Sequence, residues 1–277
     1  MTSCVDGRHT IIIPHRDRHK TLAVCLWAID LSARRCGVTD YEVLVIENGS
    51  QTAPTSEHPR VRIVPTLDVI PEFNKPILQN RGIDEATGDV LTFLDADAVV
   101  GPRFMDNPPL LLARPEITKF CYRVRILHRE ETAKWNGTPC CREEMYDGWF
   151  ANYDTRFRAF EAYREAEHDS KRGEEGDGIL FGNSHQSIRR EVWGDLRFDP
   201  TFAGHGYEDL VTNWKLWKDH EADYNPVLVS DADHAVLCLQ HLYHDGRWMD
   251  SEISRRNEDL YKATIEGRRE YGSAPAG

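Results

Sequence analysis

Short apolar runs alternate with stretches of helical spacing over the first hundred residues. Four runs rich in β-branched or aromatic residues predict buried strands, at 10–14 (TIIIP), 41–46 (YEVLVI), 61–64 and 90–94 (VLTFL). Residues 22–31 have the apolar spacing of a helix. Asn74 can cap a second predicted helix, with Pro76 in its first turn and Gly88 at its end. This repetition predicts an α/β fold with a mainly parallel central sheet and helices on both faces. Ligands of such sheets gather at the carboxyl ends of the strands.

The second half of the chain has a different pattern. Strands are predicted at 119–128, 226–229 and 235–243, a helix at 207–220, and ordered structure again at 179–188. Residues 129–178 are highly charged with scattered aromatic side chains. Within them, 155–166 has amphipathic helical spacing, and 171–178 (KRGEEGDG) predicts a polar loop. The last residues, 273–277, are expected to fray.

Composition and charge narrow the class of protein. A chain of 277 residues with 29% charged and 40% hydrophobic side chains can bury one sizeable core. The formal charge of −12 disfavours a long polyanion as the main partner, because phosphates are bound by clustered lysine and arginine. We recognise no signal peptide and no membrane-spanning stretch. The seven cysteines are irregularly spaced, so we expect reduced thiols in a soluble, cytoplasmic protein.

Two aspartates follow the fourth predicted strand. In Asp95-Ala96-Asp97 the carboxylates are two residues apart, so on an extended chain they point the same way. Two like charges held close together destabilise a fold, but paired oxygen ligands suit a hard divalent cation. The tripeptide also occurs in solvated loops. Its position after an apolar strand favours the metal site.

Three further clusters each allow a functional and a structural interpretation. Residues 204–209 (GHGYED) open the later helix, where Glu208 and Asp209 either complement the helix dipole or supply a general base. Residues 241–244 (HLYH) offer an imidazole for the metal, or two ordinary histidines. Residues 14–18 (PHRDR) leave the first strand, and their arginines either pair with a diphosphate or form a solvated basic loop.

Taken together, these segments resemble the β-1,4-galactosyltransferases and the wider family 2 of GT-A glycosyltransferases. The run 11–19 (IIIPHRDRH) is similar to their IPFRNR-type opening, 73–75 (FNK) with 80–82 (NRG) to their FNRA and N-x-G segments, and 94–97 (LDAD) to their metal-binding DxD. Residues 181–184 (FGNS) lie where these families carry a glycine-rich donor-site strand. The 204–209 box resembles their GWGxED box, and His244 followed by Asn257-Glu258 resembles their late metal histidine and asparagine–glutamate pair.

The resemblance implies a GT-A fold and a hexosyltransferase-type enzyme that uses Mn²⁺ or Mg²⁺. The chain would be a single domain, 1–277, with a nucleotide-binding half (1–100), an acceptor and metal half (101–260) and a tail (261–277). A nucleotide-sugar donor, with UDP-sugars favoured, would be bound by Pro14, Arg16, Arg18, Glu47, Phe73, Lys75, Asp95, Gly182 and Asn183. Asp97, with Asp95 and His244, would ligate the metal; Asp209 would be the base, and Glu208 would hold acceptor or donor sugar.

The chain departs from the family pattern at two places. His205 replaces the tryptophan of the box, which leaves the sugar and the acceptor class open, and 129–178 has no clear counterpart. That segment is either an acceptor lid, because aromatic faces stack on sugar rings, or a helical hairpin that covers the sheet. The animal members of the family are membrane-anchored, and we recognise no anchor in this sequence. We therefore expect a soluble relative of bacterial or phage type.

We expect an inverting single displacement, in which a carboxylate takes the proton of the acceptor hydroxyl. The acceptor is a carbohydrate or another hydroxyl-bearing molecule, including a modified nucleic-acid base. A retaining GT-A enzyme would share the fold and the DxD. A nucleotidyltransferase usually has a glycine-rich phosphate loop, whereas PHRDR follows the first strand here. A non-catalytic sugar-nucleotide-binding protein would be expected to lack the DxD or the acidic box. The oligomeric state is not specified by the sequence.

Overall fold

Strands and helices alternate along the chain as the apolar pattern predicts. The computed structural model describes residues 7–66, 68, 70, 72–122, 124–127, 129–136, 143–144, 146–147, 185–204, 206–220, 223–229, 239–242 and 251–273. The strands are β1 (His9–His15), β2 (Tyr41–Glu47), β3 (Val61–Pro65), β4 (Val90–Phe93), β5 (Ala98–Val100), β6 (Lys119–Tyr122), β7 (Val124–Ile126), β8 (Gln186–Arg189), β9 (Pro226–Val229) and β10 (Leu239–His241). The helices are α1 (His19–Cys36), α2 (Lys75–Glu85), α3 (Asn107–Leu112), α4 (Arg129–Asn136), α5 (Arg190–Trp193), α6 (Glu208–His220) and α7 (Ser251–Ile265).

The central sheet has seven strands in the order β3-β2-β1-β4-β8-β6-β9. β1 pairs in parallel with both β2 and β4, β2 with β3, and β6 with β9. Only β8 among these strands runs antiparallel to its neighbours β4 and β6. A second, three-stranded sheet has the order β5-β10-β7. The predicted α/β fold with a mainly parallel central sheet is confirmed.

Successive residues of β1 pack into two separate cores, one on each face of the sheet. Ile11 and Ile13 pack into the core that includes the apolar side of α1. Ile12 points the other way and joins the core formed with α2, α5 and α6. All seven residues of β1 are buried, as expected for a strand covered on both sides. The predicted helices on both faces are confirmed.

Helix α2 packs tightly against β1. Asn74 caps it, because its Oδ1 accepts a hydrogen bond from Ile77 N at 3.1 Å, while its Nδ2 donates to Pro200 O at 2.8 Å. A Cβ on Gly82 would collide with the side chain of Ile12, so this glycine permits the close approach of helix and strand. The helix ends at Glu85, before Gly88.

The second half of the chain differs in detail from its pattern. The predicted strand 119–128 is divided into β6 and β7, which belong to different sheets. The part of 129–178 that is described packs near α1: Tyr146 is buried, donates to Val100 O at 2.7 Å and lies edge-on to Trp27. Its hydroxyl and ring are therefore engaged within the fold. The predicted helix 155–166 and loop 171–178 lie outside the described residues.

Residues beyond α7 are held against the body of the fold. Arg269 Nη1 lies 2.7 Å from Asp199 Oδ2, and both side chains are almost fully buried. Tyr271 donates its hydroxyl proton to Arg197 O at 2.7 Å. The last four residues, 274–277, lie outside the described part. Within the part of the chain that the structure describes, no helix combines the length and apolar character needed to cross a membrane.

Candidate active site

Several chemically active residues meet at one edge of the central sheet. β1, β2 and β4 are parallel, so their carboxyl ends share an edge, and the chain that follows them carries Arg16, Asn48 and Asp95. β8 runs the other way, so His185, which precedes it, lies at the same edge. The sheet thus gathers residues that are far apart in sequence, as parallel sheets do at their ligand sites.

Asp97 is held between an arginine and a histidine. Arg18 Nη1 lies 3.1 Å from Asp97 Oδ2, and His241 Nε2 lies 3.1 Å from Asp97 Oδ1. The second sheet brings His241 to this aspartate. β10 pairs with β5, and His241 lies opposite Ala98, the residue that follows Asp97. Leu242 N also donates to Asp97 O at 2.9 Å. Of the two histidines left open by the sequence, His241 is at the aspartate; His244 lies outside the described residues.

Asp95 lies between a lysine and a second histidine. Lys75 Nζ is 2.5 Å from Asp95 Oδ1, and His185 Nε2 is 3.5 Å from Asp95 Oδ2. Burial alone would raise the pKa of Asp95, but Lys75 and His185 outweigh it and hold that pKa well below its usual value. Burial lowers the pKa of His185 to about 4, so its imidazole is neutral near pH 7.

The donor set of Asp95, Asp97 and His241 fits a divalent cation. One ligand atom from each residue lies within 4.8 Å of the others. Two carboxylates with an imidazole make a mixed oxygen and nitrogen set, which transition ions such as Mn²⁺ accept readily. Arg18 and Lys75 lie beside the same carboxylates, so the cluster also has positive charge available for an anionic ligand.

Arg16 and Glu47 are engaged in shaping the neighbouring loop. The Arg16 guanidinium donates to Asn48 O, Asn48 Oδ1 and Ile70 O, and it lies 5.8 Å from the centre of the Phe73 ring. Asn48 is fully buried. These bonds join the end of β1 to the end of β2 and the segment before α2. Arg16 therefore holds together the loops at this edge of the sheet.

The carboxylate of Glu47 closes the same loop. Its Oε2 lies 2.8 Å from His15 Nδ1, and its Oε1 accepts from Ser50 N at 2.6 Å. Pro14 is buried on β1 opposite Ile46. The other predicted donor-binding residues, Gly182 and Asn183, lie outside the described residues, as does His205.

The acidic pair begins α6 at the same site. Glu208 is 5% exposed, and its Oε2 has no hydrogen-bond partner among the described residues. Burial, with the adjacent Asp209, raises the pKa of Glu208 to about 7. Burial alone would lower the pKa of Lys75, but Asp95, Glu208 and Asp209 together hold it above its ordinary value. The electrostatic contacts of Lys75 thus connect the aspartate cluster to the acidic pair.

The loop before α6 has a backbone that few residues adopt. Gly204, Gly206 and Tyr207 have φ angles of 78°, 99° and 69°, in the left-handed region that glycine accepts most readily. Asn257, fully buried on α7, donates from Nδ2 to Gly206 O at 3.0 Å and to Ala203 O at 3.2 Å. The Asn257-Glu258 motif of the sequence is therefore in contact with the box that opens α6.

Sequence reasoning missed three residues of this region. Asn48 follows a predicted strand and His185 precedes one, so their positions at strand ends were a usable signal. Lys119, which is fully buried on β6 behind α6, gave no such signal. Whether Lys119 is buried or exposed depends on which face of β6 is covered by α6, and the sequence does not specify that.

A large surface cavity lies elsewhere on the molecule. It measures about 670 Å³ and is lined by α5, α6 and nearby loops, with Trp193, Lys215 and Tyr271 among its residues. Neither the aspartate cluster nor the acidic pair contributes to it. We assign the chemistry to the sheet edge, because only there do potential metal ligands of the described residues converge.

Comparison with known proteins agrees with this architecture. Residues 10–107 match the family model of glycosyl transferase family 2. No curated protein sequence matches the chain. The matched segment contains β2, β4, both aspartates and all of β1 except His9, and it stops well before the acidic pair and His241.

Solved structures similar to the chain share its fold. Mannosyltransferase PcManGT from Pyrobaculum calidifontis, in complex with GDP-Man and Mn²⁺, is 17% identical, with a TM-score of 0.58, over 97% of this chain and 66% of that one. S. aureus TarS 1–349 is 11% identical, with a TM-score of 0.56, over 93% of this chain and 65% of that one. Glucosyl-3-phosphoglycerate synthase from Mycobacterium tuberculosis, in complex with Mn²⁺, UDP-Glc and glycerol 3-phosphate, is 16% identical, with a TM-score of 0.52, over 98% and 82%.

The chain therefore has the GT-A fold. It spans slightly less than two thirds of the length of the first two of these chains, and 39% of the longer TarS chain.

Proposed function

We propose that this protein is a metal-dependent glycosyltransferase that moves a sugar from a nucleoside-diphosphate donor to an acceptor hydroxyl. One observation carries the proposal: Asp95, Asp97 and His241 each offer a ligand atom within 4.8 Å of the others, an arrangement that could hold a metal ion, at the carboxyl edge of a GT-A sheet. The family 2 match over 10–107 and neighbours solved with nucleotide sugars and Mn²⁺ support it.

Asp95, Asp97 and His241 would hold the cation, with His244 as an alternative or additional imidazole. When bound, a divalent cation would neutralise charge that develops on the departing diphosphate. Mn²⁺ is favoured over Mg²⁺, because an imidazole nitrogen suits a transition ion better.

The residues around the cluster have separate proposed tasks. Arg18 and Lys75 lie at the two aspartates and would bind diphosphate oxygens. Pro14, Glu47 and Phe73, with Arg16 holding the loops, would form the nucleoside pocket. Gly182 and Asn183 complete the donor-binding set implied by the β-1,4-galactosyltransferase resemblance.

Asp209 is the proposed general base. It belongs to the first turn of α6, is partly exposed, and would take the proton of the acceptor hydroxyl as the new glycosidic bond forms. Glu208 is buried with a raised pKa, so it exists partly as the neutral acid near pH 7. In that form it would donate a hydrogen bond to a sugar hydroxyl. A single displacement of this kind inverts the anomeric centre.

Donor binding separates this proposal from its alternatives. Calorimetry with UDP-, GDP- and dTDP-sugars, with and without Mn²⁺, should find one class of nucleotide, UDP by our expectation, that binds only with the metal. Asp97→Ala should abolish that metal-dependent binding. Asp84→Ala is the matched control and should bind the donor as the wild type does. Asp84 is an exposed aspartate of α2 that pairs with Arg197. Equal binding by Asp97→Ala would refute the assigned site.

Product analysis tests the reaction itself. Asp209→Asn should lower turnover by about 10²-fold or more with donor affinity retained, since general base catalysis contributes on that scale. Inversion of the anomeric centre in the product would support the single displacement, and retention would replace it with the retaining GT-A mechanism. Release of pyrophosphate would instead identify a nucleotidyltransferase. Binding without any turnover on a broad acceptor panel would favour a sugar-nucleotide-binding protein.

A further inference from the structure

Lys119 is a buried amine that none of the roles proposed above uses. Its side chain, on β6, is fully buried on the sheet face covered by α6. Nζ donates to Gln186 Oε1 at 2.9 Å and also to Asn213 Oδ1. The centre of the Tyr224 ring lies 5.7 Å from the same nitrogen. The amine thus joins β6, β8 and α6 at one point.

This junction lies beneath the acidic start of α6. Asn213 is four residues after Asp209, about one helical turn, so both side chains lie on the same side of the helix. Asp209 acts electrostatically on Lys119 and also on Cys121, which shares the strand face of Lys119. The lysine therefore lies on the sheet side of the proposed base.

The surroundings of the amine suit a cation. Two amide oxygens accept its hydrogen bonds, and the face of a tyrosine ring attracts positive charge. Burial lowers the pKa of Lys119, and Cys121 and Asp209 act in the opposite direction. Among the described residues, Lys75 on α2 and the adjacent Glu208 also interact with Asp209.

A fully buried lysine is an unfavourable choice for stability alone. No carboxylate among the described residues accepts a hydrogen bond from its Nζ, and apolar side chains of similar volume usually stabilise a fold as well as or better than a buried charge. The position between the sheet and the acidic turn of α6 therefore calls for a role in the site.

We propose that Lys119 is a positioning residue for Asp209: it holds the first turns of α6 against the sheet and stabilises the carboxylate as the acceptor hydroxyl approaches. This inference rests on the proposed function, in which Asp209 accepts the proton of the acceptor. Lys119 has no exposed surface, so it acts through Asp209 and not by touching the substrate.

The first test is the pH profile of Lys119→Met, which keeps the length of the side chain and removes the charge. We expect kcat to fall by about tenfold on the acidic limb of the profile and to approach the wild-type value at its alkaline end, because loss of a nearby positive charge makes a carboxylate easier to protonate. The KM for the donor should stay within about twofold of the wild-type value. An equal loss at every pH, or no loss, would overturn the proposal.

Gln186→Met is the matched control for that profile. It removes one hydrogen bond of the same junction and leaves the ammonium in place. We expect its acidic limb to coincide with that of the wild type, even if its stability falls. A shift equal to that of Lys119→Met would mean that packing, and not charge, is responsible.

The second test does not require activity. The free energies of unfolding in urea of the wild type, Lys119→Met, Asp209→Asn and the double variant form a double-mutant cycle. This cycle isolates the coupling between the two residues. We expect about tenfold coupling in the unfolding equilibrium constant near pH 8, and weaker coupling at acidic pH, where protonation removes the negative charge. Coupling below about twofold at pH 8 overturns the proposal. Full coupling in a wild-type protein that transfers no sugar would overturn the proposed function, while the link between Lys119 and Asp209 would stand.

Discussion

Glu208→Gln should make the stability of this protein less dependent on pH. Glu208 is buried, one of its oxygens has no hydrogen-bond partner among the described residues, and burial beside Asp209 raises its pKa from 4.5 to about 7. The folded state thus keeps a proton that the unfolded chain releases. Because the folded state binds more protons in this range, the free energy of unfolding falls as the pH rises from about 4.5 to about 7.

The size of the effect follows from those two pKa values. Between about pH 5.5 and about pH 8.5, linkage removes about 2 kcal/mol from the free energy of unfolding of the wild type through this one group. Glutamine cannot ionise, so the variant escapes this loss. Any constant effect of the substitution, such as an altered contact with Lys75, cancels when the two pH values are compared.

Urea unfolding without metal or donor, at both pH values, provides the measurement. The stability of Glu208→Gln relative to wild type should rise by about 2 kcal/mol from the lower to the higher pH. Glu42→Gln is the matched control. Burial alone would raise the pKa of Glu42, but hydrogen bonds from Thr87 and Thr10 hold it below its ordinary value, so it does not titrate in this window. A relative stability of Glu208→Gln that is equal at both pH values would refute the reasoning.

Three further substitutions test how the site is supported. Asn257→Ala removes two hydrogen bonds to the loop before α6 and should cost about 2 kcal/mol in urea unfolding; an unchanged midpoint would contradict this role. Arg269→Met leaves Asp199 buried without its ion pair and should cost about 3 kcal/mol or more in thermal unfolding at neutral pH. Arg268→Met, in an exposed pair, is its control and should cost less than about 1 kcal/mol. Gly82→Ala should cost about 1–3 kcal/mol despite better helix propensity, because the added Cβ meets Ile12, and a more stable variant would contradict that packing.

Local pattern was enough to predict most of the nucleotide-side half of the fold. The apolar runs at 10–14, 41–46 and 90–94 lie within or largely coincide with β1, β2 and β4, because a strand buried on both faces must be apolar at successive positions. Asn74 could be identified as a helix cap from its side chain alone. The prediction that ligands bind at the carboxyl edge of the sheet followed from the predicted parallel arrangement of its strands.

The partners of the two aspartates could not be read in the same way. Asp95 and Asp97 were visible as a pair, but Lys75, His185 and His241 reach them only through the order of the strands. The resemblance pointed to His244, whereas the register of β10 with β5 brings His241 to Asp97. A shift of one residue in that register would turn the opposite face to the site.

The sequence by itself determined the α/β class, the strands that carry the aspartates, and the kinds of side chain available for metal and acid–base chemistry. These depend on interactions among neighbours in the chain, which composition and spacing express directly. Only the tertiary structure decided that Arg16 joins the loops, that Glu208 is buried and that Lys119 is buried against α6. Burial and long-range charge depend on which surfaces cover one another, and that depends on the packing of every element at once.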